Sequence, residues 1–183
     1  NRINIEVKSS FVKKPGTLIT KRRNLNNNSI ITGISSTHND AKVTLVGVKD
    51  RPGVAASIFK PLSINSINVD MVVQNISPNG KETDLTFTIK AEDLNKTKKI
   101  IQENKSIKFK KVLFQKGVSK ISIIGVGMIT TPGVTFRMFQ ALANKRINIQ
   151  VISTSEIKIS VLINKKDAKK ALVTLHKEFK LQK

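Results

Sequence analysis

The stretch VTLVGVKDRPGVAASIF (43–59) contains the corner from which the fold of this chain can be worked out. Its first six residues are mostly β-branched and predict a buried strand, and apolar residues at helical spacing from Val54 to Leu62 predict a helix. The residues between them therefore form a strand-to-helix turn. Pro52 suits a first helical turn because the N–H group that it lacks would have no intrahelical partner, and Gly53 allows backbone or ligand to approach closely.

The same pattern occurs a second time in the chain, 80 positions later and without a gap. Pro52-Gly53-Val54 is matched by Pro132-Gly133-Val134, and Ile67-Asn68 is matched by Ile147-Asn148. A repeat of this length indicates two copies of one supersecondary unit. The sequence therefore predicts two small, similar modules.

The first copy predicts the element order βαββαβ. The expected strands are 42–48, 67–76, 83–90 and 107–114, and the expected helices are 53–64 and 92–104. This order corresponds to an α+β, ferredoxin-like unit, a four-stranded antiparallel sheet with both helices on one face. Pro61 removes a hydrogen bond inside the first helix, so we expect that helix to kink or to end about a turn early.

The second copy provides only three strands of its own. They are expected at 119–126, 147–153 and 157–163, with helices at 133–145 and 167–178. A strand edge without a partner is a liability, and the segment Ile30 to Ser36 lies outside the first module. We therefore predict that this segment pairs into the second sheet, so that the first domain (42–115) is inserted into the second (30–36 plus 117–183).

The first 29 residues belong to neither module. Ile3, Ile5 and Val7 alternate as in a half-buried strand without a partner nearby, and a turn follows at Pro15-Gly16. Residues 21–29 are polar and aperiodic, which predicts a linker.

The composition excludes several classes of function. The 183 residues contain no cysteine, which excludes disulfides, thiolate metal sites and cysteine nucleophiles. No apolar run is long enough for a membrane span and no signal peptide is visible, so we expect a cytoplasmic protein. The formal charge of +21 suggests nucleic acid, but the lysines are spread along the chain and there is no Tyr or Trp for base stacking. We interpret the charge as a solvated surface.

The corner at Asp50 predicts a binding site for a small zwitterion. Amides at the start of a helix lack intrahelical partners and lie at the positive end of its dipole, so Gly53 to Ala55 can bind a carboxylate. Asp50 can bind an ammonium group beside them, and Asn68, Asp70 and Gln74 follow on the next strand. An ordinary turn or helix cap is the alternative for Asp50.

The second corner lacks this acid because Thr130 stands where the first copy has Asp50. Glu156 could supply the charge from elsewhere, although an exposed turn acid is the alternative. No catalytic or metal-binding motif accompanies either corner, and the only histidines, His38 and His176, are far apart in sequence.

These residues resemble a known family. The segments VTLVGVKDRPGVA (43–55) and INVDMVVQNIS (67–77) closely resemble the first regulatory ACT domain of bacterial aspartate kinase, and PGVT (132–135) with NIQVISTSEIKISVLI (148–163) resembles the second. Residues 7–11 and 15–19 are similar to the last strand of the kinase catalytic domain and the exit from it, so 1–20 would be its tail.

The resemblance implies the regulatory portion of an enzyme that phosphorylates L-aspartate with ATP. The catalytic opening with its Gly-Gly-Thr-Ser is missing, so this chain alone should be inactive and should bind no cofactor, since ATP and magnesium would belong to the kinase domain. The implied partners are lysine or threonine as effector, a second copy joined through the ACT domains, and the catalytic domain. By matching position, the effector contacts would be Asp50, Arg51, Pro52, Gly53, Val54, Ala55, Asn68, Val69, Asp70 and Gln74 in the first module and Thr135, Asn148, Ile149, Ser155 and Glu156 in the second.

Two other functions stay open from the sequence. A free-standing ACT regulator of another amino-acid enzyme would keep the corners but lack the kinase-like strand at 1–20. A basic ferredoxin-like RNA-binding protein would place aromatic residues on its sheet, and Phe87, Phe109 and Phe114 are too few and wrongly spaced for that role.

Overall fold

A computed structural model of the chain describes residues 5–12, 15–19, 30–76 and 80–181. Within these ranges it contains nine strands and four helices. The strands are β1 (Ile5–Val7), β2 (Thr17–Ile19), β3 (Gly33–Ser36), β4 (Asp40–Lys49), β5 (Val69–Ile76), β6 (Glu82–Lys90), β7 (Lys111–Ile124), β8 (Ile149–Ser155) and β9 (Lys158–Asn164). The helices are α1 (Val54–Ile64), α2 (Leu94–Glu103), α3 (Val134–Ala143) and α4 (Ala168–Glu178).

One antiparallel sheet runs through both modules in the order β5-β6-β4-β7-β9-β8, with β3 also paired to β7. The first part of β7, up to Val118, pairs with β4, and the part from Val118 to Ile124 pairs with β9. We call β4, α1, β5, β6, α2 and the first part of β7 the first module. We call β3, the rest of β7, α3, β8, β9 and α4 the second module.

The long strand β7 corrects the sequence prediction at this point. Separate strands were expected at 107–114 and 119–126, but residues 111–124 form a single strand. Gly117 takes a positive φ of 72°, and the pairing with β4 shifts between Asp40 and Lys42. A bulge of this kind bends a strand without ending it, so the two sheets share one continuous strand.

The predicted transfer of Ile30 to Ser36 into the second module is confirmed. Strand β3 pairs with residues 121–124 of β7, and Ile31 is only 2% exposed within the second core. Because Ser36 lies opposite Ile121 and Asp40 lies opposite Val118, β3 and β4 lie end to end along the same side of β7. The first module is therefore inserted into the second.

Each module buries its own apolar core between its two helices and one face of its sheet. The first core includes Leu45, Ile58 and Phe87. The second includes Met138, which is equivalent to Ile58 by the 80-residue repeat, and both side chains are fully buried. A third, smaller cluster of Met71, Val118 and Leu162, with Val151 packed against it, combines side chains of the two modules.

The strand at the start of the chain differs from the prediction. Residues 5–7 pair with residues 17–19, and the side chains of Ile5 and Val7 are 54% and 55% exposed, so this strand has a local partner and is not half-buried. The backbone amide of Gly16 donates to the Glu6 carboxylate at 3.3 Å, which closes the hairpin. The predicted linker at 21–29 lies outside the described residues.

Helix α1 continues three residues past Pro61 to Ile64, so it does not end early. Helix α2 is shorter than expected at its start, because Ala91–Asp93 form a 3₁₀ turn ahead of it. Among the helices in the described part of the chain, none has the length and apolar character needed to cross a membrane.

Candidate functional site

The two corners have almost the same backbone conformation. Gly53 has φ 85° and ψ −3°, and Gly133 has φ 85° and ψ −1°, at the N-cap positions of α1 and α3. The carbonyl of each glycine accepts the first helical hydrogen bond, from Ser57 at 3.0 Å and from Arg137 at 2.9 Å. A left-handed residue at this place favours glycine, which explains why the sequence repeats it. Neither helix start has a side-chain cap.

The amides at the first corner are not all available to a ligand. The Val54 amide donates to the Arg51 carbonyl at 3.2 Å, within the turn. The sequence assigned the amides of Gly53, Val54 and Ala55 together to a bound carboxylate, so that assignment is reduced to Gly53 and Ala55. Pro52 and Gly53 are both exposed, and the corner is open to solvent.

The Asp50 carboxylate lies at this corner without a described partner. Its backbone amide donates to the Lys81 carbonyl at 2.9 Å, which holds Asp50 against the start of β6. Its side chain forms no hydrogen bond or ion pair with any described residue and does not cap α1. The helix-cap alternative for Asp50 is therefore wrong, and a partly exposed carboxylate remains beside a positive helix end.

A cleft of about 330 Å³ lies between α1 and the start of β5. Asn68 and Val69, both predicted as contacts, line it together with Phe59, Ser66 and Val72, which the sequence analysis missed. Phe59 follows the helical periodicity of the core, so no separate functional signal in the sequence distinguishes it from a core residue. The corner residues do not line this cleft.

Arg51 and Val54 line a different and smaller cleft, of about 120 Å³. Lys49 and Lys108 are part of the same wall, so three cationic side chains lie around it. The predicted contacts of the first module are therefore divided between two neighbouring depressions. Of these two clefts, only the smaller has cationic lining residues that would attract an anion.

The carboxylate of Asp70, predicted as an effector contact, binds a side chain of the other module. It forms an ion pair with Lys120, whose side chain is only 13% exposed. Gln150 stands 80 positions after Asp70 and accepts a hydrogen bond of 2.7 Å from the ammonium group of Lys42. A lysine from the central strands β4 and β7 thus contacts the start of each edge strand across the modules.

Burial lowers the pKa of Lys42 below its usual value, because its ammonium group loses hydration. The sequence analysis missed both lysines. The sequence did contain a signal for these contacts. Lys42 and Lys120 each lie within a strand among apolar residues, and a charged side chain at such a place needs a polar partner.

Gln74 is exposed on β5, opposite Leu85. In the second module Ile149 is partly buried against the core, and four of the predicted contacts are exposed. These four are Thr135, Asn148, Ser155 and Glu156. The Thr130 hydroxyl, at the place of Asp50, donates to the Gly127 carbonyl at 3.5 Å and so belongs to its own turn.

Gly125 and Gly127 have a structural role. A Cβ atom added at Gly125 would collide with the Ile30 carbonyl oxygen, and one at Gly127 would lie 2.7 Å from the Ile30 Cα atom. The two glycines leave room for the chain that enters β3. Within the described ranges, no cluster of three or more His, Cys, Asp or Glu side chains is arranged to hold a metal ion.

Comparisons with known proteins agree with this architecture. The ACT domain family matches residues 43–104 and 121–179. An aspartate kinase from Pseudomonas fluorescens (strain SBW25) is 44% identical over 179 residues, covering 97% of this chain and 43% of that protein. The aspartokinase of Helicobacter pylori (strain ATCC 700392 / 26695) is 42% identical over 183 residues, covering 98% of this chain and 45% of that protein. The chain thus spans less than half the length of these curated relatives.

Two solved structures are similar over most of the chain. The ligand-free regulatory subunit of aspartate kinase from Thermus thermophilus is 34% identical with a TM-score of 0.74, covering 82% of this chain and 99% of that one. The aspartate kinase from Synechocystis is 31% identical with a TM-score of 0.80, covering 98% of this chain and 33% of that one.

Two interlocked modules, each with four antiparallel strands and two helices and each starting its first helix at a Pro-Gly corner, define the class of protein as a tandem pair of ACT domains. Within this class, the chain belongs to the family of aspartate kinase regulatory portions.

Proposed function

We propose that this chain binds free lysine or threonine at its ACT domains and thereby controls an aspartate kinase by feedback inhibition. The kinase would transfer a phosphoryl group from ATP to the side-chain carboxylate of L-aspartate, giving 4-phospho-L-aspartate. The ATP and magnesium sites would belong to the catalytic domain and not to this chain.

The observation that carries the proposal is that the first corner places an acidic side chain beside the positive end of a helix. The carboxylate of Asp50 has no partner among the described residues, and α1 starts beside it without a side-chain cap. A free amino acid has its ammonium and its carboxylate group on the same carbon atom, so two neighbouring sites of opposite preference can bind both. Asp50 would bind the ammonium group, and the amides of Gly53 and Ala55 would bind the carboxylate.

A second copy of the chain would complete the site. Edge strand β5 exposes Val72 and Ile76, which are 46% and 66% accessible, and Val72 lines the same cleft as Asn68 and Val69. Apolar side chains on a sheet edge favour packing against another subunit. An effector enclosed between two subunits would bind one quaternary arrangement more tightly than another, and this difference in affinity would shift the kinase equilibrium.

Calorimetric titration with lysine and with threonine tests the first corner. Asp50→Ala should weaken binding of the effector about tenfold or more, because a charge-assisted hydrogen bond contributes about 1.5–3 kcal/mol. Thr130→Ala is the matched control at the equivalent position of the second module, and it should leave the affinity at the first corner unchanged. Equal heats for the wild type and Asp50→Ala would exclude Asp50 as an effector contact.

A further inference from the structure

A large concave surface lies on the outside of the second module, between α3 and α4. This groove has a volume of about 1080 Å³, and seven of its twelve lining residues are lysine or arginine. The single acid, Glu178, is bonded to Arg137 through its carboxylate and its backbone carbonyl, both at 2.9 Å. We call this surface the basic groove.

The positive charge follows a stripe along one side of α4. Lys170 and Lys177 are seven residues apart on one face of α4, Lys166 lies in the 3₁₀ turn just before the helix, and Lys180 follows its end. None of the groove's lysine ammonium groups forms an ion pair with a described residue, so the described part of the chain leaves their positive charge uncompensated.

The first module provides an internal control for the high lysine content of the chain. The buried residues of α2 and α4 align at an offset of 74, as Leu94 does with Ala168, and those of α1 and α3 align at 80. At the seven cationic positions of the basic groove, the first module has one lysine, Lys96, and two glutamates, Glu92 and Glu103. Lys96 binds the Asn65 carbonyl at 2.7 Å. General lysine enrichment would place cationic residues at these positions in both modules, whereas only the second module has them at all seven.

The floor of the basic groove is apolar. Ala141 and Val173 line it, and Val173 is 46% exposed. Helix α4 has 11 residues and is therefore about 16 Å long, which matches three turns of a third helix lying between α3 and α4. Arg137 covers the nearby Phe179 ring at 4.9 Å, and none of the twelve lining residues is aromatic, so no ring is available to stack on bases.

We propose that the basic groove binds an acidic amphipathic helix of a partner protein, with apolar side chains on Val173 and Ala141 and carboxylates against the flanking lysines. The proposal does not depend on effector binding at the amino-acid corners. A charged rim around an apolar floor fits such a helix better than a nucleic acid, whose phosphates would use the lysines but not the floor.

Fluorescence anisotropy with three probes tests the proposal on the full chain. The probes are a synthetic helix of leucine and glutamate with leucine at helical spacing, a polyglutamate of equal length and a single-stranded oligonucleotide. We expect the amphipathic helix to bind at least tenfold more tightly than the other two. Lys166→Gln/Lys170→Gln/Lys177→Gln should lower its affinity about tenfold or more, and Val173→Ser should weaken the amphipathic helix only.

Lys60→Gln/Lys99→Gln/Lys105→Gln is the matched control, because it removes three exposed lysines from the first module. It should retain the affinity of the wild type. Equal weakening by both triple variants would show a general charge attraction and overturn the proposal. Absence of binding, or preferential binding of the oligonucleotide without an effect of Val173→Ser, would also overturn it.

Discussion

The two modules have the same architecture, but they obtain their strands differently. The first module uses four strands that follow one another in the chain. The second uses β3, from before the first module, as the partner of the later part of β7. Chain order therefore does not decide which strands form a sheet. The apolar face of Ile121 and Ile123 had to be covered and the edge of β7 had to be paired, and Ile31 and β3 satisfied both requirements.

The modules also differ in the chemistry placed on the same backbone. The corners agree within a few degrees at Gly53 and Gly133, but an acid stands at position 50 and a threonine at position 130. The seven cationic positions of the basic groove differ as well, because the first module has only one lysine at the equivalent positions. A repeated fold thus sets the places where side chains can act, and the differing residues decide what each place can bind.

The largest expected effect concerns whether the modules are stable independently of each other. Ile58→Ala and Met138→Ala each empty an equivalent, fully buried position and should lower the free energy of unfolding by about 2–5 kcal/mol. Because β7 belongs to both sheets, we expect one cooperative transition that either substitution shifts. Urea denaturation followed by far-UV circular dichroism measures this. Two transitions, each moved by only one of the variants, would show that the modules unfold separately.

The borrowed strand distinguishes the second module, and Gly125→Val should disturb it. The added side chain would collide with the Ile30 backbone, and overpacking of this kind costs about 1–3 kcal/mol. Hydrogen exchange at residues 33–36 should accelerate more than exchange in β6, because the strand's docking is affected first.

Gly33→Ala is the control for that substitution. A Cβ atom at Gly33 meets no atom within 4 Å and φ is not in the left-handed region, so stability should change little. If Gly125→Val left the exchange of 33–36 unchanged, the close approach of Ile30 would not matter for the fold.

Most of the architecture could be predicted from the sequence because the repeat allowed the elements of one module to be compared with those of the other. A module with three strands beside an unassigned apolar segment led directly to the insertion. The continuity of β7 was missed because a Gly with positive φ can mark either the end of a strand or a bulge, and only the pairing partners distinguish them. The β1–β2 hairpin was missed because each strand is only three residues long and the side chains of β1 are exposed, so the second strand leaves little apolar pattern to detect.

The candidate site could be predicted less completely. The glycine corners could be found because the conformation of each turn depends on a few consecutive residues, above all the Pro-Gly pair. The contact of Asp70 with Lys120 joins residues 50 positions apart and depends on how the two modules pack, which no local pattern reports. The same reason applies to the division of the predicted contacts between two clefts.

The smallest expected effect concerns the contact between Lys42 and Gln150. Burial lowers the pKa of Lys42 in the folded chain, so the unfolded chain binds more protons at pH values between the folded and the ordinary pKa. The stability of the wild type should therefore rise through this window relative to Lys42→Met, which has no titrating group there. At lower pH, Lys42 is charged in both states, and the difference between the two proteins should be constant.

Urea denaturation at a series of neutral to alkaline pH values measures this difference. Lys60→Met, on the exposed side of α1, controls for the loss of one positive charge. A difference between wild type and Lys42→Met that stays flat or shrinks as the pH rises would contradict a lowered pKa of Lys42 in the folded chain. The hydrogen bond to Gln150 would then fully offset the lost hydration, because a hydrogen bond donated by the charged ammonium group stabilises that form and raises its pKa.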